Sequence, residues 1–144
     1  MSYAQSVPTQ VVSQIRERPP PYGPRRSALP RLLLVEDSAL ARRVASRALA
    51  GAFQVSAVAD AEAALAFFRP GMFDVVVTDH HMAAMTGLEL LEQLRRIDPY
   101  TRRVLISGSE IPGIAGYLAT GLVQRCLLKP VDLRAELIAL LERD

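Results

Sequence analysis

The 144-residue sequence contains no tryptophan, one cysteine, one lysine and no apolar run long enough to cross a membrane. The single cysteine, Cys126, excludes an internal disulfide and is consistent with a reducing compartment. The first thirty residues also lack the apolar segment and small-residue cleavage site of a signal peptide. These absences lead us to expect a cytoplasmic protein that makes no membrane contact.

The excess of basic charge is confined to the N-terminal part of the sequence, although the formal net charge of the whole chain is +2. Residues 1–30 contain four arginines, one glutamate and six of the ten prolines, whereas residues 31–144 contain 13 basic and 14 acidic residues. We predict a flexible or polyproline-like extension over residues 1–30 and one globular domain over residues 31–144. The charge balance of the domain argues against nucleic-acid binding, and a contact between the extension and an acidic partner stays open.

Short apolar runs alternate with helical patterns from residue 32 onward. They predict five strands, at residues 32–35, 53–58, 74–78, 103–107 and 125–129. They also predict five helices, at 38–50, from 60 to before 70, 87–98, 112–119 and after 132. Strand and helix in regular alternation predict a parallel sheet covered by helices on both faces, a doubly wound α/β fold.

Two of these helices have a predicted orientation. In the first, Leu40, Val44 and Ala48 form the apolar face, Arg42, Arg43 and Arg47 turn outward, and Gly51 follows the end. In the fifth, Leu133, Leu137 and Leu140 point inward.

Polar residues stand at the carboxyl ends of four predicted strands, where sites in parallel sheets gather. They are Glu36 and Asp37 after the first strand, Asp79 after the third, Ser107 and Gly108 after the fourth, and Lys129 and Pro130 after the fifth. Three carboxylates brought together repel one another, and a hard cation such as Mg²⁺ relieves that repulsion and suits a phosphoryl substrate. Asp79 is then the candidate nucleophile. Lys129, the only lysine, supplies a compact charge to an anionic oxygen, or is an ordinary solvent-exposed lysine before a turn proline.

The segments LLLVEDS, DHHMAAMTG, LISGS and LLKP carry these residues in order. Over residues 31–144 the sequence resembles the receiver domain of bacterial two-component response regulators, of the stand-alone, chemotaxis-regulator-like kind. The resemblance implies a flavodoxin-like (βα)5 sheet with strand order 2-1-3-4-5.

The resemblance also implies a role for each site residue. Asp79 is the phosphoacceptor, Ser107 and Lys129 bind phosphoryl oxygens, and Mg²⁺ or Mn²⁺ is held by Glu36, Asp37, Asp79 and the backbone carbonyl of His81. The residues that modulate the chemistry or its transmission are His81, Gly108, Cys126 and Pro130, the last following a cis peptide bond. Two positions depart from the family pattern. Ala83 stands in place of a proline, and Cys126 stands in place of the aromatic residue that swings inward on activation.

The resemblance implies a phosphorylation-dependent switch and not an enzyme, although the domain assists its own phosphotransfer and autodephosphorylation. A sensor histidine kinase or phosphotransfer protein, or a small acyl phosphate, would phosphorylate Asp79. The kinase would meet the first helix near Ala39, Leu40 and Arg43, and the output would be contact with a downstream protein. Because Cys126 replaces the switch aromatic, a phosphorylation-independent, receiver-like interaction module is the alternative.

Other classes of site lack residues that they need. His80 and His81 fall short of a zinc set, since the chain has no further histidine and no nearby cysteine. Aspartyl phosphatases of the haloacid dehalogenase type need D-x-D, and His81 stands at the second aspartate position. A dinucleotide site needs G-x-G-x-x-G after the first strand, which the sequence does not have.

Overall fold

The computed structural model describes residues 29–143, so the extension predicted for residues 1–30 lies outside the described residues except for its last two. Within them, strands and helices alternate as β1 (Arg31–Val35), α1 (Ala39–Leu49), β2 (Gln54–Val58), α2 (Ala61–Phe67), β3 (Val75–Asp79), α3 (Gly87–Ile97), β4 (Arg102–Ser107), α4 (Ile114–Ala119), β5 (Arg125–Leu128) and α5 (Leu133–Arg143). None of these helices is both long and apolar enough to cross a bilayer.

All five strands lie in one parallel sheet with the order β2-β1-β3-β4-β5. The prediction of a flavodoxin-like (βα)5 sheet is confirmed. The predicted strand positions agree with the observed ones to within one residue. The reversal of strand order next to β1 brings the carboxyl ends of β1 and β3 side by side, with Val35 paired to Thr78.

The central strands are buried on both faces, which explains their continuous apolar runs. Leu33 and Val76 face a core formed with α2, α3 and α4, whereas Leu34 and Val77 face a second core formed with α1 and α5. Leu133, Leu137 and Leu140 of α5 pack in this second core, as predicted.

Side chains at the starts of four helices accept hydrogen bonds from free backbone amides. Ser38 accepts from Ala41, Asp60 accepts from Ala63, Thr86 forms a reciprocal capping box with Glu89, and Asp132 accepts from Ala135. Helix α4 starts two residues later than predicted and has no side-chain cap, because Gly113 precedes it in a left-handed conformation, with φ of 78°.

The predicted orientation of α1 is wrong. Leu40 is 69% exposed and Val44 is 59% exposed, and the helix instead packs against the sheet through Ala45 and Leu49. Two apolar stripes run along α1, and the stripe that begins with small alanine side chains lets the helix approach the sheet closely. Arg42, which was predicted to turn outward, is half-buried.

Arg103 is a buried cation near the amino end of β4, the end of the sheet away from the polar strand tips. It is 4% exposed, and its guanidinium donates to the carbonyl oxygens of Pro99, Thr101, Gly121 and Leu122. Burial, and then the nearby charge of Arg95, lowers the pKa of Arg103 to about 10. These hydrogen bonds join the α3–β4 connection to the end of α4.

Candidate functional site

Three carboxylates meet at the carboxyl ends of β1 and β3. Asp79 is the last residue of β3, and Glu36 and Asp37 directly follow β1. Single side-chain oxygens of these residues lie within 4.8 Å of one another. Glu36 and Asp79 are each 8% exposed, while Asp37 is exposed to solvent. The cluster therefore forms a negatively charged corner that is open on one side.

Glu36 is anchored to its surroundings through both main chain and side chain. Its amide donates to the carbonyl of Val58 over 3.1 Å, and its Oε2 accepts from the amide of Ser38 over 3.0 Å. Burial, reinforced by the negative charge of Asp79, raises the pKa of the Glu36 carboxyl above its usual value. A cation bound between these residues would relieve this unfavourable placement of negative charge.

The carboxylate cluster fits a hard divalent cation. Carboxylate oxygens are the ligands that Mg²⁺ and Mn²⁺ prefer, and a position partly open to solvent leaves room for bound water. Within residues 29–143 it is the only set of three or more aspartate, glutamate, histidine or cysteine side chains arranged to hold an ion, and neither histidine belongs to it.

Lys129 is the cation nearest to these acids. Its Nζ lies 3.3 Å from Oδ1 of Asp79 and 3.9 Å from Oε1 of Glu36. The Lys129–Pro130 peptide bond is cis, as the resemblance implied, and the amide of Lys129 donates to the carbonyl of Ser107. The side chain remains 43% exposed, so the ion pairs are solvated and the ammonium can change partners.

Ser107 ends β4 and is fully buried, but its hydroxyl is turned toward its own loop. Oγ donates to the carbonyl of Ser109 over 2.6 Å and accepts from the amide of the same residue. A Cβ atom added at the exposed Gly108 would meet no atom within 4 Å, so the space beside this position is open. The structure thus places Ser107 at the predicted strand tip with its hydroxyl engaged locally.

The β3–α3 loop carries both histidines. The His81 side chain is exposed and the His80 side chain is half-buried, and their rings meet edge to face with centroids 5.0 Å apart. Burial lowers the pKa of His80, and no hydrogen-bond partner within the described residues reaches its buried Nδ1. Met82 and Met85 are half-buried and pack against the core.

Gly87 begins α3 in direct contact with the end of β3. A Cβ atom at this position would lie 2.5 Å from the carbonyl oxygen of Asp79 and 2.9 Å from Cα of His80. The amide of Gly87 also donates to the carbonyl of His80. The glycine in the motif is therefore required by the close approach of two backbones, which fixes where Asp79 ends its strand.

Cys126 lies in β5, paired with Leu105 of β4. It is half-buried and packs against the same core as Ile111 and Ile114. Burial raises the pKa of its thiol. No aromatic ring occupies this position, so a switch based on ring rotation has no counterpart here.

Arg42 is the site-associated residue that the sequence interpretation missed. Its guanidinium donates to the main-chain carbonyl of Glu36 over 2.8 Å. The sequence could have predicted this contact. Side chains on a helix lean toward its amino end, and Arg42 lies in the first turns of the helix that follows the acidic pair.

The sequence of the described domain matches a known family. The family model described as response regulator receiver domain matches residues 32–142. The chain belongs to this family. Receiver domains are phosphoacceptor domains of two-component signalling systems, not enzymes of the usual kind; they bind Mg²⁺ through acidic residues and interact with histidine kinases or phosphotransfer proteins.

Similar proteins are found among curated relatives and solved structures. The receiver domain is 32% identical over 122 residues to protein-glutamate methylesterase/protein-glutamine glutaminase 1 of Paramagnetospirillum magneticum, covering 75% of this chain and 32% of that protein. It is 40% identical over 80 residues to the two-component response regulator ORR1 of Oryza sativa subsp. japonica, covering 48% of this chain and 35% of the relative. The chain thus spans about a third of the length of these curated relatives.

The crystallised chemotaxis protein CheY4 of Vibrio cholerae superposes with a TM-score of 0.64 at 28% identity. The alignment covers 81% of this chain and 98% of that one. The receiver fold therefore accounts for nearly the whole of this structural relative.

Proposed function

We propose that this receiver domain is a phosphorylation switch that accepts a phosphoryl group on Asp79. The donor is a phosphohistidine of a sensor histidine kinase or phosphotransfer protein, or a small acyl phosphate. The observation that carries the proposal is the placement of Asp79 among two further carboxylates with the ammonium of Lys129 3.3 Å away. A lone carboxylate at the end of a buried strand would otherwise be unfavourable.

In the proposed transfer, a carboxylate oxygen of Asp79 attacks the phosphorus and the bond from phosphorus to the donor nitrogen breaks. The products are an aspartyl phosphate and a free imidazole, which takes a proton from solvent. Lys129 provides a positive charge for the phosphoryl oxygens. The oxygens of Glu36, Asp37 and Asp79, with the carbonyl of His81, would hold Mg²⁺ or Mn²⁺, whose chemical contribution is to neutralise phosphoryl charge.

The response to phosphorylation begins, in this proposal, with the hydroxyl of Ser107. It leaves the carbonyl of Ser109 and donates to a phosphoryl oxygen, which frees the loop that leads into α4. His81 and Gly108 are exposed beside the acceptor and would set how easily water reaches the aspartyl phosphate during autodephosphorylation. Pro130 shapes the turn after Lys129, and Cys126 lies in the outer strand β5, where it pairs with Leu105 of β4.

The surface proposed to meet the phosphodonor protein is the exposed side of α1. Leu40 and Val44, 69% and 59% exposed, are the most exposed large apolar side chains among the described residues. A groove of about 470 Å³ runs from Val44 to Val131 and includes Glu36 and Lys129 in its lining. A helical partner that docks its apolar side here would bring its phosphohistidine next to Asp79.

The deciding experiment is the intact mass of the protein after incubation with acetyl phosphate and Mg²⁺. We expect one added phosphoryl group on the wild-type protein, and none on Asp79→Asn or when Mg²⁺ is omitted. Circular dichroism would establish that the variant is folded, and a receiver domain of known reactivity would be labelled in parallel. No labelling of the folded wild-type protein under conditions that label the control would contradict the proposed acceptor chemistry for small donors.

The half-buried thiol of Cys126, in place of a ring, favours the second candidate function, a receiver-like module that binds a downstream protein independently of phosphate. The two candidates differ in their response to modification. Amide chemical shifts in α4 and β5 would change on phosphorylation of a switch, and would stay unchanged in a phosphorylation-independent module. Both candidates act through protein contact rather than nucleic acid, a proposal that the net charge of −1 over residues 31–144 supports.

A further inference from the structure

Arg42 is tied to the loop that carries two of the three clustered acids. Its guanidinium donates to the carbonyl of Glu36 over 2.8 Å, while the amide and carboxylate of the same glutamate bond to Val58 and Ser38. Glu36 is therefore held at its amide, its carbonyl and its side chain. The turn from β1 into α1 has little freedom to move.

The contact made by Arg42 leaves the carboxylates available. Within the described residues, the ion pairs made by Glu36 and Asp79 both involve Lys129, and Arg42 forms none with the cluster within 4.0 Å. An arginine this close to the acids would neutralise one of the three carboxylates if it formed a bidentate pair with it. Here it stabilises the main chain of the loop and leaves the side-chain oxygens unoccupied by its own donors.

A purely helix-stabilising role does not account for this position. Arg42 is the fourth residue of α1, near the positive end of the helix dipole, where a cation is less favourable than at the last turn. Arg47 stands in the last turn of the same helix, where a basic side chain is favourable. The hydrogen bond from Arg42 to the carbonyl of Glu36 compensates for this unfavourable position of a cation near the amino end of the helix.

We propose that Arg42 is a positioning residue for the divalent-cation site, which holds the β1–α1 turn so that Glu36 and Asp37 stay directed at the ion. This inference rests on the proposed function, because it assigns a support to the proposed Mg²⁺ site. Removal of Arg42 has two opposed effects. The loss of positioning weakens cation binding, and the loss of a nearby positive charge strengthens it.

The test is isothermal titration calorimetry of Mg²⁺ and Mn²⁺ into the wild-type protein, Arg42→Ala, Arg42→Lys and Arg47→Ala. We expect Arg42→Ala to bind about tenfold more weakly, in the range found for supports of metal ligands, and Arg42→Lys to recover part of the loss. Arg47→Ala removes the same charge from the same helix and should leave the dissociation constant within about twofold of wild type, since the distant exposed charge is screened. Labelling of Arg42→Ala by acetyl phosphate should also recover at saturating Mg²⁺.

The possible outcomes distinguish the positioning role of Arg42 from the proposed divalent-cation site on which it depends. Equal or tighter cation binding by a folded Arg42→Ala protein would overturn the positioning role while leaving the metal site intact. Absence of cation binding by the wild-type protein would instead overturn the proposed metal site. If Arg42→Ala does not fold by circular dichroism, Arg42→Gln takes its place, and wild-type cation affinity in a folded Arg42→Gln protein would contradict the inference.

Discussion

The ammonium of Lys129 lies 3.3 Å from the carboxylate of Asp79, although Asp79 ends β3, Lys129 follows β5, and these two strands are not neighbours in the sheet. Strand β4 lies between β3 and β5, so the lysine side chain reaches across the tip where Ser107 stands. A group bound to Asp79 would therefore lie within reach of this ammonium. This relationship connects the proposed acceptor to the loop proposed to respond.

Substitution Lys129→Ala should separate cation affinity from phosphoryl transfer. Removing the ammonium leaves three carboxylates without their nearest cation, so we expect Mg²⁺ to bind several-fold more tightly by calorimetry. Labelling by acetyl phosphate at saturating Mg²⁺ should become slower, because the phosphoryl oxygens lose a positive partner. Arg125→Ala, which removes a positive charge from the start of β5, is the control. Weaker Mg²⁺ binding by Lys129→Ala than by the wild-type protein would argue against this electrostatic account.

Two glycine substitutions should shift stability in opposite directions. Gly87→Ala places a Cβ against the backbone of Asp79 and His80, and we expect a loss of about 1–3 kcal/mol in the free energy of unfolding. Gly116→Ala lies in α4, where a Cβ meets no atom within 4 Å, and should add about 0.5–1 kcal/mol through helix propensity. Urea denaturation followed by circular dichroism measures both, and a Gly87→Ala protein as stable as wild type would contradict the close approach.

The exposed side of α1 should matter for a protein donor and not for a small one. We expect Leu40→Asp combined with Val44→Asp to slow phosphotransfer at least tenfold from a histidine kinase that phosphorylates the wild-type protein, since a charge replaces each apolar contact. Labelling by acetyl phosphate should stay within about twofold of wild type, because substitutions at exposed positions seldom perturb the fold. Leu118→Asp on α4 changes another exposed leucine, 41% exposed and away from α1, and is the control. Equal loss with both donors would point to damage of the acceptor site instead.

The thiol of Cys126 should ionise at a higher pH than an ordinary cysteine. Burial disfavours the thiolate, so the pKa is raised and less thiolate is present at any given alkaline pH. The rate of iodoacetamide alkylation, measured against pH, should rise with a midpoint above that of the same protein unfolded in urea. A midpoint at or below the unfolded value would show that the thiol is more solvated or better stabilised than its burial implies.

Alkylation of Cys126 also distinguishes the two candidate functions. In a switch that moves β5 and α4, phosphorylation of Asp79 should change the alkylation rate at constant pH by at least severalfold, because access to a half-buried thiol depends on small displacements. The Asp79→Asn protein, treated with acetyl phosphate in the same way, is the control. An unchanged rate in a fully phosphorylated protein would favour the phosphorylation-independent module.

Much of the fold was predictable because its determinants are local. Apolar runs, helix caps such as Asp60 and turn residues such as Gly51 act over a few positions, and each element appeared close to its predicted range. In a parallel sheet all strand tips lie at one edge, so the alternation of strand and helix was sufficient to bring Glu36, Asp79 and Lys129 together.

The sequence by itself determined the five strands and helices, the parallel sheet and the residues at its carboxyl edge, because these follow from periodicity and from motifs that act locally. Only the tertiary structure decided which stripe of α1 meets the sheet, that Arg42 turns back to Glu36, and that the hydroxyl of Ser107 is held by Ser109. Those outcomes depend on how closely a helix can approach a sheet and on which acceptor lies nearest to a side chain. Such distances exist only once the chain is packed.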